Sequence, residues 1–251
     1  MTSRPQGRIL PAPGAGLRDV VVVVCAVLLA FVVALPSAAA DADGARALVE
    51  RVLAAYGGRD KLASVQRLHA VGTTSSLRTG TRGPSERWFA PPDRLRIDIA
   101  YSPDYRESRI LDGAQSWKDG APSNEPFRAA MVLQAARFRL PLLLAERPVR
   151  DAGEISDAGR ALRVLSVDLG GGMTLDVMVD PASARIEQSR GVVAFGGQTM
   201  EFATRYGDFR KVGDLLFAHR ERHYAMGMNT GETVLSRIDL NAPMPDGVFR
   251  P

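Results

Sequence analysis

Three side chains in one short segment have a spacing that could hold a metal. His219, Glu221 and His223 alternate along the sequence, so on a β-strand all three would project from the same face. Two imidazoles and a carboxylate are ligands that zinc accepts, so this spacing could serve a zinc-dependent enzyme. The only further histidine is His69, and the two intervening arginines indicate a charged, exposed strand. We therefore expect a solvated histidine pair and no metal.

Other catalytic arrangements are missing from the sequence. It contains no Gly-x-Ser-x-Gly nucleophile elbow and no Gly-Lys-Ser/Thr phosphate loop. The glycines at 170–172 lie between two segments with strand character, which is typical of a hairpin turn and not of a nucleotide loop. Asp98 and Asp104 are too loosely placed to form the carboxylate pair of a glycoside hydrolase. We therefore expect a protein that is not an enzyme and has no cofactor.

The charge distribution argues against nucleic-acid binding. The net charge is only +4, and arginines occur singly, as at Arg94, Arg109 and Arg220, instead of clustering along a surface that could follow a phosphate backbone. With 45% hydrophobic and 24% charged residues, the composition is that of an ordinary globular protein. We expect no nucleic-acid partner.

The first forty residues have the features of a secretory signal. Three arginines precede an apolar run at 20–35, and an alanine triplet at 38–40 provides small side chains for cleavage. The alternative is an uncleaved anchor in the inner membrane, but the run is shorter than the ~20 residues that a membrane-spanning helix needs. We therefore predict a signal peptide at 1–40, export to the periplasm and one mature domain at 41–251. The only cysteine, Cys25, falls within the signal, so the mature domain has no thiol.

The mature segment begins with a pattern typical of an amphipathic helix. Apolar residues recur with helical spacing from Leu48 to Tyr56. Asp43 can cap the start of this helix, and the Gly57-Gly58 pair can end it because glycine readily adopts the left-handed conformation. A short helical turn is predicted at 59–64.

From Val65 onward the apolar residues follow the two-residue period of β-strands. Leu95, Ile97 and Ile99 alternate with polar or charged residues, which predicts one buried face and one solvated face. The same pattern occurs in Arg106–Leu111, Leu162–Leu169, Thr174–Val179, Arg185–Phe195, Thr199–Phe209, Leu215–Met226 and Glu232–Leu240. Residues that favour tight turns separate these segments. The fold class predicted is α+β, mainly β, with an antiparallel sheet.

One apolar stretch interrupts the strands and is predicted to be helical. It runs from Pro126 to Glu146, and Pro141 should divide it because proline disrupts a helix interior. The stretch is too apolar to lie on the surface alone. We expect it to pack against the concave face of the sheet.

Several short motifs occur in the order found in one known family. After the helix that ends at Gly57-Gly58, they are Trp88–Arg96, Leu111–Trp117, Val179–Pro181 leading into Arg185-Ile186, Ile238–Asn241 and Phe249–Pro251. In this order the chain resembles the LolA/LolB-like periplasmic lipoprotein carriers, and the motifs span nearly the whole mature segment. Two positions depart from the family pattern: Pro91 stands where the carriers have an arginine, and Trp117 is not followed by an aromatic residue.

The resemblance implies a strongly curved antiparallel sheet, an incomplete β-barrel, with an N-terminal helix and a helical lid or plug over an apolar cavity. It implies a lipid or an acylated protein as the ligand and a peripheral or transient contact with membranes. The alternative is an interaction or sensory module that uses the same fold to recognise a partner protein of the cell envelope. A continuous cavity would favour the carrier, whereas a filled interior with an exposed patch would favour the module.

Large apolar side chains on the predicted strands and helix are the candidates for lining the cavity. They are Trp88, Leu95, Ile97, Ile99, Trp117, Met131, Phe195, Phe202 and Met226. Flexible apolar side chains of this size suit acyl chains of variable length. The alternative for each is ordinary packing in a filled core.

Overall fold

The computed structural model of the chain describes residues 38–251. Most of the predicted signal peptide, including the apolar run, lies outside the described residues, so the prediction of a cleaved signal stays a prediction. Within residues 38–251, no helix has the length and apolar character needed to cross a membrane.

The N-terminal helix is longer than its sequence pattern indicated. Helix α1 spans Ala38–Ala55, so Asp43 lies inside it and the prediction of a cap at that residue is wrong. The end of the helix agrees with the prediction: Gly57 has φ +115°, and a Cβ there would meet the Asp214 carbonyl oxygen at 2.6 Å. Only glycine fits both constraints. A single turn of helix, α2, follows at Arg59–Ala63.

The described residues form one 13-stranded antiparallel sheet. Its strands are β1 Leu68–Ser76, β2 Thr81–Ala90, β3 Arg94–Ser102, β4 Tyr105–Asp112, β5 Gln115–Lys118, β6 Ala121–Pro122, β7 Val149–Asp157, β8 Arg160–Gly170, β9 Met173–Val179, β10 Ile186–Phe195, β11 Gln198–Val212, β12 Leu215–Ala225 and β13 Met228–Leu240. The spatial order is β6-β5-β4-β3-β2-β1-β13-β12-β11-β10-β9-β8-β7. The first and last long strands therefore pair at the centre, and the sheet does not close on itself.

The apolar stretch forms two helices, as predicted, but the break is placed differently. Helix α3 spans Phe127–Arg137 and helix α4 spans Leu140–Glu146. The break falls before Pro141, which occupies the first turn of α4, where a missing backbone N–H costs no hydrogen bond. The prediction that Pro141 interrupts a helix interior is therefore wrong in position.

Helix α3 shows that the sheet is strongly curved. It packs against both β3 and β10, which are six strand spacings apart in the order above. In a flat sheet these strands would be about 29 Å apart. A helix about 10 Å across can touch both only if the sheet wraps around it. The predicted curved sheet with a helical plug on its concave face is confirmed.

Two apolar clusters flank α3 on the concave face. One joins α1, α4 and β8–β10 with Leu133, and the other joins β1–β4 and β13 with Met131. At one point the helix lies directly on the backbone of the sheet, since a Cβ on Gly191 would lie 2.4 Å from Leu133 Cδ1. Glycine on β10 therefore permits the close approach of helix and sheet.

Candidate ligand-binding site

A cavity of about 100 Å³ lies on the concave face between the sheet and the two central helices. Its outer rim is formed by the half-buried Leu62 and Val65, next to the end of the sheet where β1 begins. Phe138 and Leu142 cover it from the helices, and Phe209 lines it from the sheet. Most of the wall is apolar.

The innermost wall of this cavity is polar. It includes Arg137, at the end of α3, with Tyr206 of β11 and Glu221 of β12. Glu221 forms an ion pair of 2.7 Å with Arg87, whose guanidinium also donates to Thr233 Oγ1 at 2.8 Å. The cavity thus ends on buried charges instead of on a closed apolar core.

The two histidines of β12 also face inward. His223 Nε2 lies 3.0 Å from Thr233 Oγ1, and His219 Nδ1 donates to the Leu235 carbonyl oxygen at 2.9 Å. The expectation of a solvated histidine pair is therefore wrong: the intervening Arg220 and Arg222 are on the solvent side, and the histidines are on the concave side. In residues 38–251, no group of three histidine, cysteine or acidic side chains is arranged to hold a metal ion.

Burial sets the protonation of this polar wall. It lowers the pKa of His223 to about 3, with Glu221 opposing the shift, so the imidazole is neutral near pH 7. Burial, the largest single influence, would raise the pKa of Glu221, but the charge and hydrogen bond of Arg87 together with the charges of His223 and Arg137 hold that pKa below its ordinary value. Burial raises the pKa of Tyr206 to about 12, so the phenol keeps its proton.

None of the nine side chains proposed from the sequence as ligand contacts lines the cavity. Leu95, Ile97, Ile99 and Met131 lie on the concave side, packed together in a filled apolar cluster beside it. Phe202 is half-buried against the neighbouring cluster. These five residues pack behind the cavity wall and do not line the cavity.

The other four candidates lie elsewhere. Trp88 and Trp117 pack on the convex face with Phe249, because on β2 the side chain that faces the cavity is that of Phe89. Phe195 and Met226 are exposed, with 49% and 58% of their surface accessible, at hairpin turns. The alternation of side chains along each strand explains these placements.

The sequence pattern did not identify the residues that do line the cavity. Tyr56 ends the predicted N-terminal helix, Phe138 lies within the predicted helical stretch, and Arg137 is a cation within that apolar stretch. A cation that interrupts an apolar stretch is the signal that could have been followed, since a buried charge needs a partner. Tyr56 contributes through its hydroxyl oxygen, which accepts the Ile186 N–H at 3.0 Å and ties α1 to the sheet.

The sequence matches no family model, and no curated protein matches it. By structure, the chain is similar to the LolA superfamily protein NE2245 from Nitrosomonas europaea, with a TM-score of 0.54 and 12% sequence identity, over 82% of this chain and 97% of that one. The chain has the LolA-like fold. The resemblance found in the sequence motifs is thus confirmed at the level of the fold.

Two further solved structures match the chain. An outer membrane lipoprotein-sorting protein domain from Vibrio parahaemolyticus gives a TM-score of 0.45 with 11% identity, over 83% of this chain and 97% of that one. A DUF1329 family protein from Desulfovibrio piger gives 0.49 with 10% identity, over 84% and 97%.

Proposed function

We propose that this protein is exported to the periplasm and binds the apolar chain of a lipid or acylated protein in the cavity beside α3. The observation that supports this most directly is a largely apolar cavity whose walls come from both the sheet and the central helices. Such concave, mostly apolar spaces with a few polar groups are the usual form of small-molecule sites. The activity is binding and transfer, not catalysis.

The size of the cavity sets how much of a chain it holds. Its volume of about 100 Å³ is less than the ~150 Å³ that accommodates benzene in an engineered core. A long acyl chain therefore either leaves most of its length outside or moves α4, which covers the cavity with Leu142. Each methylene group that it buries contributes about 0.8 kcal/mol.

The first test uses a neutral apolar probe, N-phenylnaphthylamine, whose fluorescence rises in an apolar site. The second is native mass spectrometry of the protein, purified after expression of the full chain. Val65→Trp places a large side chain at the rim of the cavity and should weaken probe binding by roughly tenfold, or ~1.4 kcal/mol. Val71→Trp is the matched control. Val71, on β1, is also half-buried but does not line the cavity.

Co-purified lipid that is lost in Val65→Trp and kept in Val71→Trp would support the proposal. A wild-type protein that carries no lipid and does not bind the probe would refute it. Circular dichroism of both variants checks that the sheet is intact.

One observation favours a second function, contact with a membrane surface. Among the described residues, seven large apolar side chains are exposed, and five lie at hairpins on the sheet end opposite the cavity rim. These five are Leu77, Tyr105, Phe195, Met226 and Met228. Exposed Arg78, Arg82 and Arg106 at the same end would favour anionic lipid.

Sedimentation with phosphatidylglycerol vesicles tests this contact. Met228→Asp should reduce the bound fraction, because it places a charge where an apolar side chain would enter the bilayer. Ile155→Asp is the control, since Ile155 is also exposed but lies on β7 near the opposite end. Equal binding by both variants would exclude this end of the sheet as the contact surface.

A further inference from the structure

The inner end of the cavity has more cations than anions. Arg87 is paired with Glu221 at 2.7 Å, and Arg109 is paired with Glu107 at 2.6 Å. Arg137, the third guanidinium in this region, has no ion-pair partner within residues 38–251. One positive charge on the concave face is therefore unbalanced.

Arg137 is held where a ligand could reach it. It is the last residue of α3, it lines the cavity, and part of its surface remains accessible although its neighbours enclose it. Its Nε is buried and has no hydrogen-bond acceptor among the described residues. Burial lowers the pKa of Arg137, because it leaves the guanidinium less well solvated than in water. A guanidinium in this situation would gain strongly from an anionic acceptor.

Tyr206 supplies a second donor beside Arg137. Its hydroxyl lies 2.7 Å from Ser189 Oγ, and either oxygen can donate in that hydrogen bond. When Ser189 donates, the phenol O–H is free to donate to a ligand in the cavity. His223 does not compete, because its ring nitrogens lie 3.3 Å and 3.0 Å from the hydroxyls of Thr204 and Thr233.

We propose that the inner end of the cavity binds the carboxylate of a single-chain amphiphile, such as a fatty acid, that enters head first. Arg137 and Tyr206 would donate hydrogen bonds to the carboxylate oxygens, and the chain would lie along Phe138 and Phe209 toward the rim. A monoanion balances the one unpaired guanidinium, whereas a phosphate dianion would leave excess negative charge near Glu221. This assignment rests on the proposed function and names its ligand class. It disfavours lipoprotein acyl chains, which present a methyl end.

The test compares three ligands that share a twelve-carbon chain and differ in the headgroup: dodecanoate, dodecanol and dodecyl phosphate. Calorimetric titration of the wild-type protein should show dodecanoate binding roughly tenfold more tightly than dodecanol, because the carboxylate forms an ion pair with Arg137 that a neutral hydroxyl cannot form. Equal affinities, or tighter binding of dodecyl phosphate than of dodecanoate, would overturn the assignment.

Two variants test the role of the guanidinium. Arg137→Met keeps the length of the side chain and removes the charge, so it should abolish the preference for dodecanoate by weakening dodecanoate binding far more than dodecanol binding. Arg139→Met is the matched control, because Arg139 also lines the cavity but is hydrogen-bonded to Glu146. It should keep the preference. An equal loss for both ligands in Arg137→Met would show a merely structural role and overturn the proposal.

The outcomes also separate this inference from the proposed function. If dodecanoate and dodecanol bind equally well and both are weakened by Val65→Trp, the apolar site stands and the carboxylate site fails. If neither ligand binds, both fail. If Arg137→Met does not fold, the affinities of the wild-type protein for the three ligands still test the carboxylate site.

Discussion

The two faces of the sheet both carry aromatic side chains, but they are completed in different ways. On the convex face the chain covers its own cluster: Phe249 packs with Trp88 and Ile110, and the Arg94 guanidinium lies 5.2 Å above the Phe249 ring. Arg96 fixes the same segment by donating to two C-terminal backbone carbonyls, at 3.1 Å and 3.2 Å. No ligand is needed there.

The concave face is covered only in part. Helix α3 fills most of the space with Leu133 and Met131, yet a cavity remains beside it and ends on Arg137. The difference teaches that aromatic content does not distinguish the two faces. The concave face differs in holding Arg137, a charge without an ion-pair partner among the described residues, and folding alone would not retain such a group at low cost.

The largest expected effect comes from removing the Glu221 carboxylate on the concave face. Glu221→Gln leaves Arg87 and Arg137 buried with no opposing charge on β12, so it should destabilise the protein by about 3–5 kcal/mol. Urea unfolding followed by circular dichroism measures the change.

The matched control lies on the next strand and on the opposite face. Glu232 of β13 pairs with the exposed Arg220 and Arg222, so Glu232→Gln should cost about 0–1 kcal/mol. Similar losses in the two variants would contradict the distinction between a buried ion pair on the concave face and solvent-exposed ion pairs on the convex face.

Much of the fold could be predicted because local patterns and tertiary structure agree. The seven segments predicted as strands from residue 106 onward correspond to β4 and β8–β13. Most of their predicted ends lie within three residues of the observed ends. Strand β7, at Val149–Asp157, was not predicted, since it is mostly exposed and lacks apolar alternation. An edge strand gains its structure from pairing with β8 and not from its own sequence.

The site could not be predicted in the same way, because it depends on which face each strand turns inward. Trp88 and Phe89 are adjacent, and a shift of one residue decides which of them reaches the cavity. The sequence predicts correctly that the histidines of β12 share one face. Whether solvent or protein covers that face depends on the position of α3. That position depends on Gly191, whose lack of a side chain admits Leu133.

A smaller effect is expected on the convex face. Phe249→Ala should destabilise the protein by about 2 kcal/mol, since it removes an aromatic ring that is 6% exposed. The only two tryptophans, Trp88 and Trp117, both belong to this cluster, so their fluorescence should shift to longer wavelength. Affinity for N-phenylnaphthylamine should stay as in the wild-type protein. A loss of affinity comparable to that of Val65→Trp would show that the two faces are coupled.

The effect that is smallest near neutral pH is a change in pH dependence that belongs to the concave face alone. His223 has a folded-state pKa of about 3, against an ordinary value of 6.5, so below pH 6.5 the unfolded chain takes up a proton that the folded protein refuses. Stability is therefore lost as pH falls from 6.5 toward 3, by about 1.4 kcal/mol per pH unit from this group. His223→Gln can still bond to Thr233 and has no such proton, so its stability should fall less steeply in that range. Urea unfolding at pH 7, 6 and 5 measures both slopes. Parallel curves would mean that His223 is solvated enough to titrate in the folded protein, and the contrast between the faces would then rest on Arg87, Arg137 and Glu221 alone.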